Sequence, residues 1–330
     1  VLTPPDGLSE DALVRVLGDG WGLAVASIDY LAVGFGSHHW DVVDTEGARR
    51  FVTVDDLDLK RQRADESEAA AFGRLQAALA TARDLRDSGA TFVIAPIPTV
   101  GGTALVQMGK RFGVALYPYV EGEAYSWGEF STPAHRRAVL DLIVAVHTTP
   151  TSALRHAMAD DFAVPHRDDL ELTDDPNDAF CEAGPYTTRT STLLVENSDN
   201  LERLLVRYDD LVEQSRRQSN RMVLTHGEPH PGNTMLTSDG WVLVDWDTVL
   251  LAPPERDLWS LDPGDGSILA AYADATGTVP RPLLLELYGV RWDLADIALS
   301  VSEFRRPHVD SPDSAKSWEI LSSLIEQLPA

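Results

Sequence analysis

Thr225-His226-Gly227-Glu228-Pro229-His230-Pro231-Gly232-Asn233 is followed, twelve residues past Asn233, by Asp245 within Val244-Asp245-Trp246-Asp247, and then by Pro253-Pro254-Glu255-Arg256-Asp257-Leu258-Trp259. An acid, an amide five residues later and a second acid at the end of a strand-like run form a set suited to phosphoryl transfer. That chemistry needs a carboxylate to orient and deprotonate an incoming hydroxyl. It also needs an amide oxygen and a second carboxylate to hold magnesium against phosphates, all on a rigid platform. Magnesium suits such a set because it takes a few hard oxygen ligands and keeps several waters.

The ordered set His226-Gly227-Glu228, Asn233, Val244-Asp245-Trp246 resembles the catalytic loop and metal strand of aminoglycoside phosphotransferases and related choline-kinase-like enzymes. Leu142–His147 followed by Pro150 is similar to that family's helix ending, and Pro253–Trp259 to its Pro-x-x-x-Asp-Leu stretch. The resemblance covers most of the chain. It implies an α+β, bilobal, protein-kinase-like fold with a small β-rich N-lobe, a larger helical C-lobe and nucleotide bound between them. By the same pattern Glu228 takes the catalytic-acid position, and Asn233 and Asp245 the metal positions. Asp257 becomes a buried acid bracing the loop, paired with His226 in the core. His230 either touches substrate or caps a turn. Asp247 is either a partner of the metal ligands or a solvated acid at a strand end.

Two residues depart from the family pattern. Glu228 stands where Asp is usual, and its extra methylene carries the carboxylate roughly 1.5 Å further. A misplacement of about 1 Å can cost about 100-fold in rate. In Arg50-Phe51-Val52-Thr53-Val54-Asp55-Asp56, Thr53 takes the position where the family's third strand carries a phosphate-binding lysine. Lys60, seven residues later at the start of the next helix, either reaches back toward the phosphates or, as the favoured reading, is a solvated surface lysine. Metal, backbone amides, His38, His39 or a distant arginine are then left to hold the phosphates. Glu68, in register with Phe72 and Leu75, is expected to point inward, and Glu66 is not.

Val33-Gly34-Phe35-Gly36-Ser37-His38-His39-Trp40 lies between two strands, where the family's glycine-rich nucleotide loop belongs. Gly34 and Gly36 allow close backbone approach to phosphate, and Ser37, His38 and His39 add donors. Leu116–Gly122 matches the hinge between lobes. Pro118 lacks an amide hydrogen, so Tyr119 or Val120 would donate to the base of ATP or GTP.

Around these motifs the chain divides at the hinge. Residues 1–122 read as the nucleotide-binding N-lobe, with strands at Ser27–Leu31, Trp40–Val43 and Arg50–Val54, a helix over Ala64–Arg86, and strands at Phe92–Ile94, Ala104–Met108 and Gly113–Pro118. The turn Val100-Gly101-Gly102-Thr103 predicts a hairpin between Phe92–Ile94 and Ala104–Met108. Residues 123–330 read as the catalytic and substrate lobe. Helices are expected at Pro133–His147, across Arg189–Gln218 (one or two), at Arg281–Ser302 and at Ser314–Gln327. Short strands are expected at Met222–Leu224, Thr234–Leu236 and Trp241–Val244.

The formal net charge is −25, which disfavours nucleic acid and anionic membranes as partners and suits a cationic ligand. Only three of the 27 basic residues are lysine: Lys60, Lys110 and Lys316. The single cysteine, Cys181, excludes an intramolecular disulfide and a cysteine-based zinc site. Without a signal-like start or a long apolar run, the chain reads as cytoplasmic. Glu121, Glu123, Glu129, Asp160, Asp161, Asp168, Asp169, Glu171, Asp174, Asp175 and Asp178 fall in segments expected to flank the acceptor, as an acidic rim or as solvated loops. Tyr125, Trp127, Trp246, Trp259 and Trp292 are assigned to the core by default. The expected activity is transfer of the γ-phosphate of ATP or GTP, with Mg2+, to a hydroxyl of an aminoglycoside, aminocyclitol or nucleoside antibiotic. The alternatives are a kinase of choline or a sugar, or a kinase-like binding protein weakened in catalysis by Thr53 and Glu228. The sequence leaves the oligomeric state open.

Overall fold

The structure, a computed structural model, describes residues 1–330 except 64, 151–153, 171–182, 219–220 and 329–330. Cys181, Glu171, Asp174, Asp175 and Asp178 therefore lie outside the described residues. The fold is bilobal α+β: an N-terminal antiparallel sheet joined to a mainly helical C-lobe.

Helix α1 (Glu10–Trp21) precedes the sheet and has no counterpart among the sequence expectations. Its signals are local. Ser9 Oγ accepts the Ala12 N–H at 3.3 Å, Gly22 closes the helix with positive φ, and Leu13 and Leu17 recur at spacing four. Both leucines are fully buried, each contributing about 2 kcal/mol. They pack on one face of the strands that follow, against Trp40, Val42, Val52 and Val54.

Strands β1 (Val25–Leu31), β2 (His38–Asp44), β3 (Arg49–Asp56), β4 (Val106–Met108) and β5 (Phe112–Pro118) form a five-stranded sheet in the order β1-β2-β3-β5-β4. Strand period two decides which side chains meet ligand. His38, Trp40 and Val42 turn toward α1 and the core, and so do Val52 and Val54. His39, Thr53 and Asp55 turn to the opposite face, with His39 directly across from Thr53 in the β2–β3 register. Helix α2 (Glu68–Asp87) begins four residues later than expected, so Glu66 precedes it. The expected hairpin after Phe92–Ile94 is absent among the described residues. Val93 instead makes a single parallel bridge to Leu243 of the C-lobe, while Thr99–Thr103 closes a tight turn.

In the C-lobe, β6 (Glu123–Ala124), β8 (Thr234–Thr237) and β9 (Gly240–Leu243) form one ribbon, and β7 (Val223–Thr225) pairs with β10 (Leu250–Ala252). Helix α3 (Pro133–His147) matches its sequence expectation at both ends, with Thr132 Oγ1 capping the His135 N–H at 3.1 Å. Helices α4 (Thr187–Glu196) and α5 (Ser198–Arg216) divide the long amphipathic stretch. They are followed by α6 (Glu255–Leu258), α7 (Ser267–Thr276), α8 (Pro282–Arg305) and α9 (Pro312–Glu326). One C-lobe core joins α3, α7, Leu224, Leu243 and Trp246; a second joins α4, α5, α8 and α9. No helix among the described residues is long and apolar enough to cross a membrane.

Candidate active site

The loop leaving β7 is held from below by Asp257 of α6. Its carboxylate accepts the His226 N–H at 2.8 Å, the Gly227 N–H at 2.6 Å and His147 Nε2 at 3.0 Å. The pairing differs from the sequence reading. The imidazole on Asp257 is that of His147, and His226 gives only its backbone. The His226 ring instead donates from Nε2 to the Val244 carbonyl at 3.0 Å and accepts the Glu228 N–H on Nδ1 at 3.2 Å. These partners define the neutral tautomer, and burial holds its pKa below the ordinary value. One ring thus links the Glu228 backbone to the residue preceding Asp245. Gly227 has φ +102°, and a Cβ there would lie 2.5 Å from the Arg256 guanidinium. That group lies against the loop, bonded to Thr225 Oγ1 at 2.9 Å and the Thr248 carbonyl at 2.8 Å.

Past Glu228 the chain makes a single 3-10 turn, Pro231–Asn233. Asn233 Nδ2 donates to the Glu228 carbonyl at 3.0 Å and lies 3.3 Å from His230 Nε2. This turns the amide oxygen of Asn233 the other way, with no hydrogen bond to it among the described residues. The Val244 N–H donates to the Asn233 carbonyl at 3.0 Å, tying this turn to the strand that delivers Asp245. His230 Nδ1 is buried without a partner among the described residues, and its Nε2 is 3.9 Å from the Glu228 carboxylate. Burial, then His226, lowers its pKa to about 4.

Asp245 has φ +64°, a strained value for a residue with a Cβ. The residue is exposed to solvent. Desolvation of its carboxyl, then Asp247 and Glu228, push its pKa well up. Burial and Asp247 push Glu228 up as well, to about 7. The described residues hold no cluster of three or more histidine, cysteine or carboxylate ligands arranged as a self-contained metal site. Magnesium does not need one, since phosphate and water complete its shell. An unengaged amide oxygen at Asn233 and a crowded carboxylate at Asp245 are hard oxygen donors of the kind it takes, so the residues fit the ion.

Lys60 departs most from its sequence reading. It is not a surface lysine: its Nζ lies 2.6 Å from Asp247 and 3.1 Å from Asp55. Burial opposes its charge, but Asp247, Asp55 and Asp245 outweigh burial and raise its pKa well above the ordinary value. Asp247 is correspondingly no solvated acid. Burial pushes it up, Lys60 pulls it down further, and the net shift is downward. Asp55 also accepts Ser37 Oγ of the glycine-rich loop at 2.6 Å. A polar chain therefore runs from Ser37 through Asp55 and Lys60 to Asp247, crossing from one lobe to the other. Glu68, expected to point inward, pairs with Arg61, whereas Glu66 is largely buried and holds Arg74.

On the N-lobe side, Gly34 and Gly36 both take positive φ. A Cβ at Gly34 would lie 3.1 Å from His39 Nε2, so the His39 ring sits directly against this loop. Thr53 Oγ1 is 3.3 Å from His39 Nδ1. Burial lowers the His39 pKa to about 3, making it a neutral donor or acceptor. His38 is separated from this group: its ring turns to the other face, 3.3 Å from Tyr30 Oη. Pro118 ends β5 opposite Arg50, and Tyr119 and Val120 follow on the connection to β6. The Arg49 guanidinium lies 3.7 Å from the centre of the Tyr119 ring.

A 310 Å³ cavity opens beside Glu228, Lys60 and Asp247, walled by Trp259, Trp292 and Asp296. The two tryptophan rings are 5.6 Å apart and half-buried, and Trp259 also packs against the core of α5 and α8; Trp127, assigned to the core by default, is exposed instead. Trp246 does belong to the core, its indole N–H bonded to the Leu243 carbonyl at 3.0 Å. Burial, then Asp293, pushes Asp296 up to about 7. Three members of the expected acidic rim are engaged elsewhere. Asp160 is buried on Arg291 and Tyr288, Asp161 caps the Ala163 N–H, and Asp169 faces His166 and Arg305. Glu121, Glu123 and Glu129 are exposed on and around β6, outside the cavity wall. Asp168 is exposed as well.

The model of the phosphotransferase enzyme family matches residues 30–293. Protein StrN of Streptomyces griseus is 30% identical over 263 residues, which is 74% of either chain. A spectinomycin phosphotransferase solved with ADP and spectinomycin superposes with a TM-score of 0.66 at 16% identity, covering 97% of this chain and 98% of that one. The choline kinase LicA of Streptococcus pneumoniae gives 0.59 at 13% identity, covering 96% and 98%. At such identities the structural likeness concerns the fold. The family match, running from the end of β1 to the middle of α8, carries more: the chain belongs to the phosphotransferase enzyme family and is a small-molecule kinase by class.

Proposed function

We infer that the protein moves the γ-phosphate of ATP or GTP to a hydroxyl of a small cationic acceptor of the aminocyclitol, aminoglycoside or nucleoside-antibiotic kind. One observation carries this reading. Glu228 faces the same cavity as Lys60 and Asp247, and stands on the loop that positions Asn233 and, through His226, Asp245. Residues 1–122 then act as the nucleotide lobe and 123–330 as the catalytic lobe. Gly34, Gly36, Ser37, His39 and Thr53 lie along the phosphates, and Tyr119 or Val120 meets the base edge. Asn233 and Asp245 would hold Mg2+, which neutralises phosphate charge when bound. Glu228 orients the acceptor and takes its proton as the hydroxyl oxygen bonds the γ-phosphorus. The bond from that phosphorus to the bridging oxygen breaks, and nucleoside diphosphate leaves.

The cationic character of the acceptor rests on which charged groups are left to face the cavity. Its arginines are engaged: Arg61 with Asp58 and Glu68, Arg74 with Glu66, Arg291 with Asp160, and Arg256 with Thr225 and Thr248. Asp296 and Glu228 are left to face a ligand, beside two indoles suited to a ring or a cation. Mass spectrometry of the protein with Mg2+, ATP, GTP and a pooled panel of aminoglycosides, aminocyclitols, nucleoside antibiotics, choline and sugars tests this. A phosphate mass gain on an aminoglycoside, aminocyclitol or nucleoside antibiotic supports the reading, whereas a gain confined to choline moves the acceptor to the choline-kinase alternative. A gain confined to neutral sugars overturns the acceptor class, and no gain on any compound counts against the whole.

A further inference from the structure

We propose that Lys60 is the residue that grips the nucleotide phosphates, delivered from the segment between β3 and α2 rather than from the third strand. The inference rests on the nucleotide reading above. Three geometric facts support it. First, Lys60 and Ser37 share the Asp55 carboxylate, which puts the ammonium close beneath the Gly34–Gly36 turn. Second, the same ammonium bonds Asp247, two residues from Asp245, and borders the cavity that Glu228 faces. It therefore lies between the loop that can cradle phosphate and the space where an acceptor hydroxyl would sit. Third, the carboxyl groups of Asp55, Asp245, Asp247 and Glu228 crowd this position, and a polyphosphate entering it needs a cation on the protein as well as its metal.

The segment is built to present this side chain. Arg74 of α2 donates to the Lys60 carbonyl and pairs with Glu66, which accepts the Gln62 N–H. From the C-lobe, the His166 N–H donates to the Gln62 carbonyl at 2.8 Å, and Arg306 donates to the Asp58 carbonyl at 3.1 Å. Backbone on both sides of Lys60 is thus anchored, leaving the side chain to exchange carboxylate for phosphate. Position 53 also explains why a lysine is dispensable there. Thr53 and Asp55 share a strand face, about 6.7 Å apart along β3. A lysine at 53, with a stem reaching roughly 6 Å, would bring its ammonium to nearly the place Lys60 already occupies.

The test measures binding, not turnover, on the full chain by isothermal titration with MgATP, MgGTP, adenosine and guanosine. Lys60→Ala should weaken the preferred triphosphate about 10- to 100-fold, the range for a charge-assisted hydrogen bond, and leave the nucleoside within about twofold. Lys60→Arg, which keeps the charge, should lose less than Lys60→Ala. Thr53→Lys added to Lys60→Ala should restore most of the triphosphate affinity, because it returns an ammonium to the same place from another strand position. Wild-type triphosphate affinity in Lys60→Ala overturns the proposal. So does equal loss of nucleoside and triphosphate that the double variant does not rescue, which would mark Lys60 as structural. If the wild-type chain binds neither MgATP nor MgGTP, the nucleotide reading fails and this inference falls with it.

Discussion

Glu228 carries one methylene more than the aspartate usual at its position, and the loop leaves its backbone little room to compensate. Its N–H is held by His226 Nδ1 and its carbonyl by Asn233 Nδ2, so both ends of the residue are fixed. Glu228→Asp should therefore withdraw the carboxylate by roughly 1.5 Å and lower kcat by about 100-fold. Glu228→Ala should cost about 100- to 10,000-fold in kcat with little change in triphosphate Kd. Single-turnover kinetics beside calorimetry separates the two quantities, and parallel loss of both would make Glu228 structural. Burial, then Asp247, raises the Glu228 carboxyl to about 7, and a base acts only when ionised. The acid limb of kcat/KM, a property of the free enzyme, should accordingly lie near pH 7, rising with pH below it and flat above. Glu228→Gln should abolish that limb. Asp245→Asn should remove magnesium-dependent turnover, and full activity in that variant would reject the metal assignment. The proximity of Glu228, Asn233 and the strand end before Asp245 is readable from sequence because one short loop and one hairpin fix their spacing. The position of Lys60 is not settled by any local pattern, because it depends on a side chain reaching an aspartate 187 residues away; only the scarcity of lysine and its place after β3 hint that it reaches back.

At the scale of elements, legibility followed capping and periodicity. Helix α3 could be read to the residue from Thr132, Pro133 and His147, whereas α1 and α7 went unread although Ser9 and a four-residue leucine spacing marked the first. Phe92–Ile94 looked like a sheet strand because its pattern is apolar. Its actual partner, β9 at Leu243, lies in the other lobe, and strand pairing across lobes has no sequence signature. How elements lock together is where stability should be sensitive. Asp84 of α2 accepts the Arg155 N–H at 2.9 Å, the Arg155 guanidinium at 3.2 Å and His156 Nδ1 at 2.9 Å. Burial raises its pKa, but His156 and Arg155 more than reverse this, and the folded value lies below the ordinary 3.8. A depressed folded pKa stabilises above the unfolded value of about 3.9, and that contribution is lost as pH falls through the folded value. Asp84→Asn should thus cost about 1–3 kcal/mol near neutral pH. It should also flatten the fall in stability below about pH 4 in urea titrations. An unchanged acid limb would mean that the tether contributes nothing.

The whole molecule sets an electrostatic problem. A chain of net charge −25 that takes an anionic nucleotide, as proposed above, needs a cation where the phosphates bind. Lys60 stands at the junction of the lobes, on Asp55 of one and Asp247 of the other, and on the proposal above it meets the objection raised by Thr53. The same negative field favours a cationic acceptor, and here the acidic rim read from sequence gives way to a more local device. Asp160 and Asp169 are engaged with cations of the fold, while Asp296 stands in the cavity wall together with Trp292 and Glu228. Two effects should therefore separate in kinetics. Long-range attraction is screened within about 8 Å at physiological salt, so KM for a polycationic acceptor should climb with ionic strength while KM for a neutral one stays flat. Direct contact with Asp296 is screened less, so Asp296→Asn should raise KM for the cationic acceptor about tenfold even at high salt, with kcat within a few-fold. Steady-state kinetics of both forms from low to high potassium chloride decides between them. A salt-dependent KM that Asp296→Asn leaves untouched would assign recognition to the overall field alone, and an identical salt response from neutral acceptors would remove the argument for a cationic substrate.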